Sequence, residues 1–306
     1  MKLPRLPVLE GWKKQAGYAA FTALAFLLAL QRTFPVDAVR ERLTLEAAAQ
    51  GWQVRMNDIA PSGFGGVRMS EMTLESRDGT RIPVEEARVS LRLWPLLLGK
   101  RSLAFDLRLF QGRLRGVVEE GRGVQRLAVR GEGIDLATAA PVKQALGGLD
   151  VSGVLRADLD VTLDPKDQQK TSGRIEVGVE RAALAGQVSL PGMAGGLTLP
   201  RASLGTVTGR ATVRAGKAEF EKLEARGEDL EASGEQLYFM VQPRLEFAPL
   251  FGRARLKVAD AFWQRAPALR AVADAALASA RRPDGSWQFQ VYGSLGHPQA
   301  KALGGP

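Results

Sequence analysis

A chain of 306 residues that is 45% hydrophobic and 25% charged has enough apolar material for one large folded domain or two small ones, which excludes a disordered chain. It has no cysteine and a single histidine, His297, which excludes disulfide scaffolds, thiolate metal centres, a cysteine nucleophile and multi-histidine zinc sites. The formal net charge of +9 is concentrated near the start; after residue 34 there are 37 basic against 32 acidic side chains, too small an excess to demand nucleic acid as a partner.

Lys2, Arg5, Lys13 and Lys14 precede an uncharged run from Ala16 to Leu30. Extended from Trp12 to Phe34, the span is long enough for one membrane-crossing helix, with aromatic residues at its rims. Trp12, Tyr18, Phe21 and Leu24, followed by Phe26, Leu27, Leu28 and Leu30, are the side chains assigned to this anchor. Gln31-Arg32-Thr33-Phe34-Pro35 is a poor cleavage site, so an uncleaved anchor is preferred to a signal peptide. Lysines before the span place the N-terminus in the cytoplasm, and in a bacterium the rest lies in the periplasm, tethered to the inner membrane. Residues 1–34 are thus read as cytoplasmic stub and anchor, and residues 35–306 as one periplasmic domain.

Pro35 to Gln50 reads as a helix, opened by proline and closed by Gly51, with Val36, Val39, Leu43 and Ala47 along one face. From Trp52 to about Glu246 the period becomes two. Leu103, Phe105, Leu107 and Leu109 alternate with Ala104, Asp106 and Arg108, and Leu155 to Leu163 alternate with Arg156, Asp158, Asp160 and Thr162. Glycines punctuate these runs every ten to fifteen residues, which predicts an antiparallel meander of ten or more strands. Two interruptions look helical: Ala137 to Leu146, and Asp260 to Arg281, the latter kinked or restarted at Pro267. Trp287, Phe289 and Val291 mark a last strand, with His297 in a terminal loop.

Asp158, Asp160, Asp164 and Asp167 form the densest carboxylate cluster, read as a solvated strand edge and not as a metal site. Gly63-Phe64-Gly65-Gly66 and Gly131-Glu132-Gly133 lack the spacing of a phosphate loop and are turns. No acid, base and nucleophile come together, so the expectation is a protein without catalytic residues, metal or cofactor. A long meander that is apolar on one face must hide that face by closing, by packing a second sheet, or by curling into a trough that meets lipid. Leu91, Leu93, Phe105 and Leu107 would line the first half of such a groove. Leu155, Leu159, Val161, Ile175 and Val177 would line the second.

The anchor, the helix ending in Gly51-Trp52-Gln53-Val54, the stretch from Ala87 to Gly99 and the Leu107-Arg108-Leu109-Phe110-Gln111-Gly112 that follows resemble the AsmA-like proteins, as does the ending Gly293-Ser294-Leu295-Gly296-His297-Pro298. Within that group the length and the single array are most similar to the type II secretion system protein N family. The resemblance implies a mainly β protein, an elongated and curved antiparallel sheet with amphipathic helices at its ends, acting as a non-catalytic, inner-membrane part of type II secretion. Its partners would be the membrane and other secretion subunits. The wider group implies an alternative, a lipid-binding or lipid-transfer module in envelope and outer-membrane maintenance, with phospholipid as partner.

Overall fold

Alternating apolar and polar residues give a strand one greasy and one wet face, and consecutive strands of this kind pair through short turns. A computed structural model describes residues 36–49, 51–63, 65–76, 79–92, 94–95, 99–121, 123–164, 166–188, 197–242 and 247–304. The residues assigned to the membrane anchor, from Trp12 to Leu30, lie outside the described residues, as does Leu93. Among the described residues no helix is long and apolar enough to cross a membrane.

The protein is mainly β, a single open antiparallel sheet of 14 strands whose order in space is their order in the chain. The strands are β1 (Trp52–Pro61), β2 (Gly66–Ser76), β3 (Arg81–Leu91), β4 (Arg101–Leu109), β5 (Gly112–Gly121), β6 (Val124–Asp135) and β7 (Asp150–Leu163). They continue as β8 (Ser172–Val188), β9 (Leu197–Arg214), β10 (Lys217–Arg226), β11 (Leu230–Met240), β12 (Leu250–Val258), β13 (Trp287–Ser294) and β14 (His297–Ala302). His297 therefore opens a strand instead of sitting in a terminal loop, and the sheet runs past the expected end of the array. β7, which carries Asp158 and Asp160, is central and paired on both sides, so these carboxylates are not at a sheet edge.

Among the described residues the longer helices occupy three places. α1 (Val36–Ala49) leads into β1, and Leu43 packs on the cluster of Ile59, Met69, Met72, Val84 and Ala87. A 3-10 turn (Leu136–Thr138), capped by the Asp135 carboxylate accepting from the Ala137 N–H at 3.0 Å, is followed by α2 (Ala140–Ala145) between β6 and β7. Gln144 of α2 hydrogen-bonds Thr80 in the β2–β3 turn, tying this insertion back across the sheet. α3 (Asp260–Arg265) and α4 (Pro267–Ala276) join β12 to β13, and Pro267 starts a new helix, as its missing N–H requires.

Helices were expected at the ends of the sheet; α1 lies beside the first strand and α3–α4 between β12 and β13, and these insertions share one margin. In a strict meander every connection that follows an even-numbered strand falls at the same end, and so does the segment before β1. The α1 entry, the β6–β7 insertion and the β12–β13 insertion all satisfy that parity. The margin that bears these three is the helical margin; at the opposite, turn margin the described connections are turns, with helical geometry at residues 94–95 and in the 3-10 turn Gln168–Lys170.

The α3–α4 hairpin is the most firmly held of the three. Phe262, 2% exposed, and Ala266 are buried against Ala202, Leu199, Leu230 and Val258. Arg265 ion-pairs with Asp229, whose carboxylate also accepts from the Ser203 N–H at 2.8 Å. Trp263 stacks edge-on between Phe262 and Trp287, with centroids 5.7 and 5.8 Å away.

Register shifts recur across the sheet, between Val84 and Glu86, Gly131 and Ile134, Ser152 and Val154, Val179 and Ala182, Phe220 and Lys222, and Glu235 and Tyr238. Each inserts an unpaired residue that bends its strand and raises the local twist.

Candidate functional site, an apolar sheet face

Residues directly opposite one another in an antiparallel pair point to the same face, so the register sorts every side chain. Leu91 stands opposite Leu103, Leu103 opposite Val118, Val118 opposite Leu127 and Leu127 opposite Val161. The adjacent row on this face runs Val89, Phe105, Gly116, Val129, Leu159, Ile175, Ala211 and Phe220. The next runs Ala87, Leu107, Leu114, Gly131, Ala157, Val177, Gly209 and Leu223. Leu155 follows one row further on, opposite Val179. Eight of the nine residues expected to line a groove thus share one face of one sheet; Leu93 is the ninth.

The face is unevenly covered. Toward β9–β12 it is closed, with Val213, Ala218, Phe239 and Leu250 buried together with Val161. Under α1 it is closed by Leu43. Between these regions no second layer of described residues covers it: Leu91 is 45% exposed, Leu103 and Val177 38%, and Val118 36%. Leu91, Leu103 and Val118 are consecutive across β3, β4 and β5, so their exposure is one contiguous strip. Isolated exposed leucines are ordinary on protein surfaces; a contiguous strip on an otherwise apolar face marks a binding surface.

The opposite face is a charge lattice. One row reads Arg88, Asp106, Arg115, Arg130, Asp158, Glu176, Arg210 and Lys222. Arg130 meets Asp158 at 2.7 Å, Arg126 meets Asp160 at 2.8 Å, and Arg210 meets Glu176 at 3.2 Å. Asp158 and Asp160 therefore serve as arginine partners, while Asp164 and Asp167 cap the β7–β8 turn by accepting from the N–H groups of Lys166 and Gln169. A cavity of about 860 Å³ lies along this row, beside the small side chains of Ala104, Val117 and Ala128. Arg88, Arg113, Arg115 and Arg130 are balanced there by Asp106, Glu132, Asp158 and Asp160, which gives it no preference for a polyanion.

Glu86, only 9% exposed, sits among Arg88, Arg68 and Arg108. Its carboxyl is held below the usual range, first by the Arg88 hydrogen bond and then by the surrounding positive charge. The Arg113 guanidinium does the same for Asp106, and Arg126 for Asp160. Carboxylates with lowered folded pKa values add stability that is complete above their unfolded value, about 4, and is lost as pH falls through the folded one. Thermal melts should accordingly give a flat midpoint from pH 8 to 5 and a falling one below about pH 4. Asp106→Asn should lower the midpoint at pH 7 and make the acid-side slope shallower; an unchanged slope would show that Asp106 does not carry it.

Among the described residues no group of three or more acidic or histidine side chains is arranged to hold a metal ion. Hydroxyl groups do meet carboxylates on the charged face, as where the Thr212 hydroxyl donates to Glu221, and the surface as a whole is apolar on one side and charged on the other. The exposure of Leu103 and Val118 was not anticipated from the sequence. Their alternation is the same as that of the buried strands, and covered rows differ from open ones in what tertiary packing lays on them: Leu43 of α1 at one side, and the β9–β13 strands with Val241, Ala248 and Leu295 at the other. No family model, no curated protein and no solved structure matches this chain.

Proposed function

We propose that this chain is a non-catalytic, inner-membrane-anchored module of the bacterial periplasm whose apolar sheet face, curved into a trough, shelters acyl chains during envelope maintenance. The observation that carries the reading is the contiguous open strip of Leu91, Leu103 and Val118 on a face whose rows are apolar from β3 to β10. Register shifts recurring across the sheet supply the bending such a trough needs. Burial of methylenes at about 0.8 kcal/mol each lets a chain of roughly fifteen carbons contribute on the order of 10 kcal/mol as an upper bound. Because α1 follows the anchor directly, the helical margin faces the inner membrane in this reading and the turn margin points away.

A second reading, a non-catalytic component of type II secretion, is supported by the sequence phrases at 51–54, 87–99 and 107–112. One experiment separates the two. Photo-crosslinking residues installed in the full-length chain at Leu159 and at Val177, irradiated in cells, should capture phospholipid. Capture of protein alone would favour the secretion reading, and capture of neither would remove the trough.

A further inference from the structure

The apolar face changes character at the turn margin. One row beyond Leu91, Leu103, Val118 and Leu127 stand Arg101, Glu120 and Gln125, opposite one another across β4, β5 and β6 and on the same face as the leucines. All three are exposed. Charged residues elsewhere on this sheet are mostly paired, as in the lattice of the opposite face. Among the described residues Arg101 and Glu120 make no ion pair and no side-chain hydrogen bond, although they are direct cross-strand partners. The neighbouring Glu119 is turned to the other face, where it meets Arg92 at 3.5 Å. A cation, an anion and an amide are thus set in line at the open end of an apolar strip.

We propose that Arg101 and Glu120 form a headgroup site for a zwitterionic, amine-bearing phospholipid, with acyl carbons lying on Leu103, Val118 and Leu127. The inference rests on the acyl-chain reading above and adds the headgroup class to it. The Arg101 guanidinium donates to phosphate oxygens, and the Glu120 carboxylate accepts from the ammonium group. Gln125 adds an amide beside Glu120. A phosphatidylglycerol-type headgroup satisfies Arg101 but brings negative charge against Glu120, and a fatty acid leaves Glu120 without a cation. The two charges therefore select against singly charged lipids more than they add affinity.

The full-length chain, reconstituted in vesicles, is irradiated with diazirine-acyl phosphatidylethanolamine or diazirine-acyl phosphatidylglycerol at equal density, and the labelled residues are mapped. The ethanolamine probe should label the Leu103, Val118 and Leu127 segments about fivefold more than the glycerol probe, the scale of one partly exposed charge pair. Glu120→Gln should bring the two probes together, and Arg101→Gln should weaken both. Both positions are exposed, and retained strand circular dichroism shows that the variants fold. Equal labelling by the two probes in the unaltered chain, or a preference that survives Glu120→Gln, overturns the headgroup site while leaving the acyl face standing. No labelling of this face by either probe overturns the trough reading itself.

Discussion

Gly205→Ala is expected to cost about 3 kcal/mol or more of unfolding free energy, whereas Gly178→Ala in the neighbouring strand should change it by less than about 0.5 kcal/mol. Gly205 has φ +60°, and a Cβ there would lie 2.2 Å from the carbonyl oxygen of Arg226 and 2.9 Å from the Cα of Gly227. Neither obstacle is a side chain that can swing away. The close approach is reciprocal, since a Cβ on Gly227 would meet the Ser203 oxygen at 2.2 Å. At Gly178 the nearest atom is 4.0 Å away, and alanine also reduces the freedom of the unfolded chain. Urea melts of the two variants beside the parent provide the comparison. Equal midpoints for Gly205→Ala and Gly178→Ala would mean that the β9 and β10 backbones are not packed this tightly.

Phe262→Ala should be nearly as damaging, about 3–5 kcal/mol at the helical margin, because a large ring is removed from a site with no room to collapse. The effect should be local. Phe262 joins α3 to Ala202 and Leu230, and the remaining ties, Arg265 to Asp229 and Trp263 against Trp287, lie at the same end of the hairpin, so the α3–α4 hairpin should loosen while the strands stay paired. Limited proteolysis should cut the variant between Asp260 and Arg281 at least tenfold faster than the parent, with strand circular dichroism preserved. If cutting stays at the parental rate, the hairpin is held by something other than this ring.

Most of the strands and their sidedness were legible because alternation survives in single segments; Leu155 to Leu163 can be read without any partner. What could not be read depends on neighbours. β14, with the sequence His297-Pro298-Gln299-Ala300-Lys301-Ala302, has no apolar alternation and exists because β13 supplies its hydrogen bonds. The β4–β5 turn places Phe110 and Gln111 at φ 51° and 61°, where a sequence signal would have been Asn-Gly. The carboxylates of β7 looked like a free cluster until the register set Arg130 opposite Asp158 and β6 delivered Arg126 to Asp160. The candidate face was visible as leucine and valine, but its open strip was not, since exposure there is decided by tertiary packing, by Leu43 of α1 on one side and the β9–β13 cluster on the other. Likewise, nothing in the sequence sets Arg101 beside Glu120; the pairing of β4 with β5 does.

The parity of the meander limits how such a sheet can change in length. Duplicating a hairpin adds two strands and leaves every later connection at its old margin, so the helical cover and the turn-side opening both survive. Gaining or losing a single strand would send all downstream insertions to the opposite margin, carrying the α3–α4 cover away from Ala202 and over the far rim. Evolution of this architecture should therefore proceed in two-strand steps, with the α3–α4 hairpin travelling unchanged behind them.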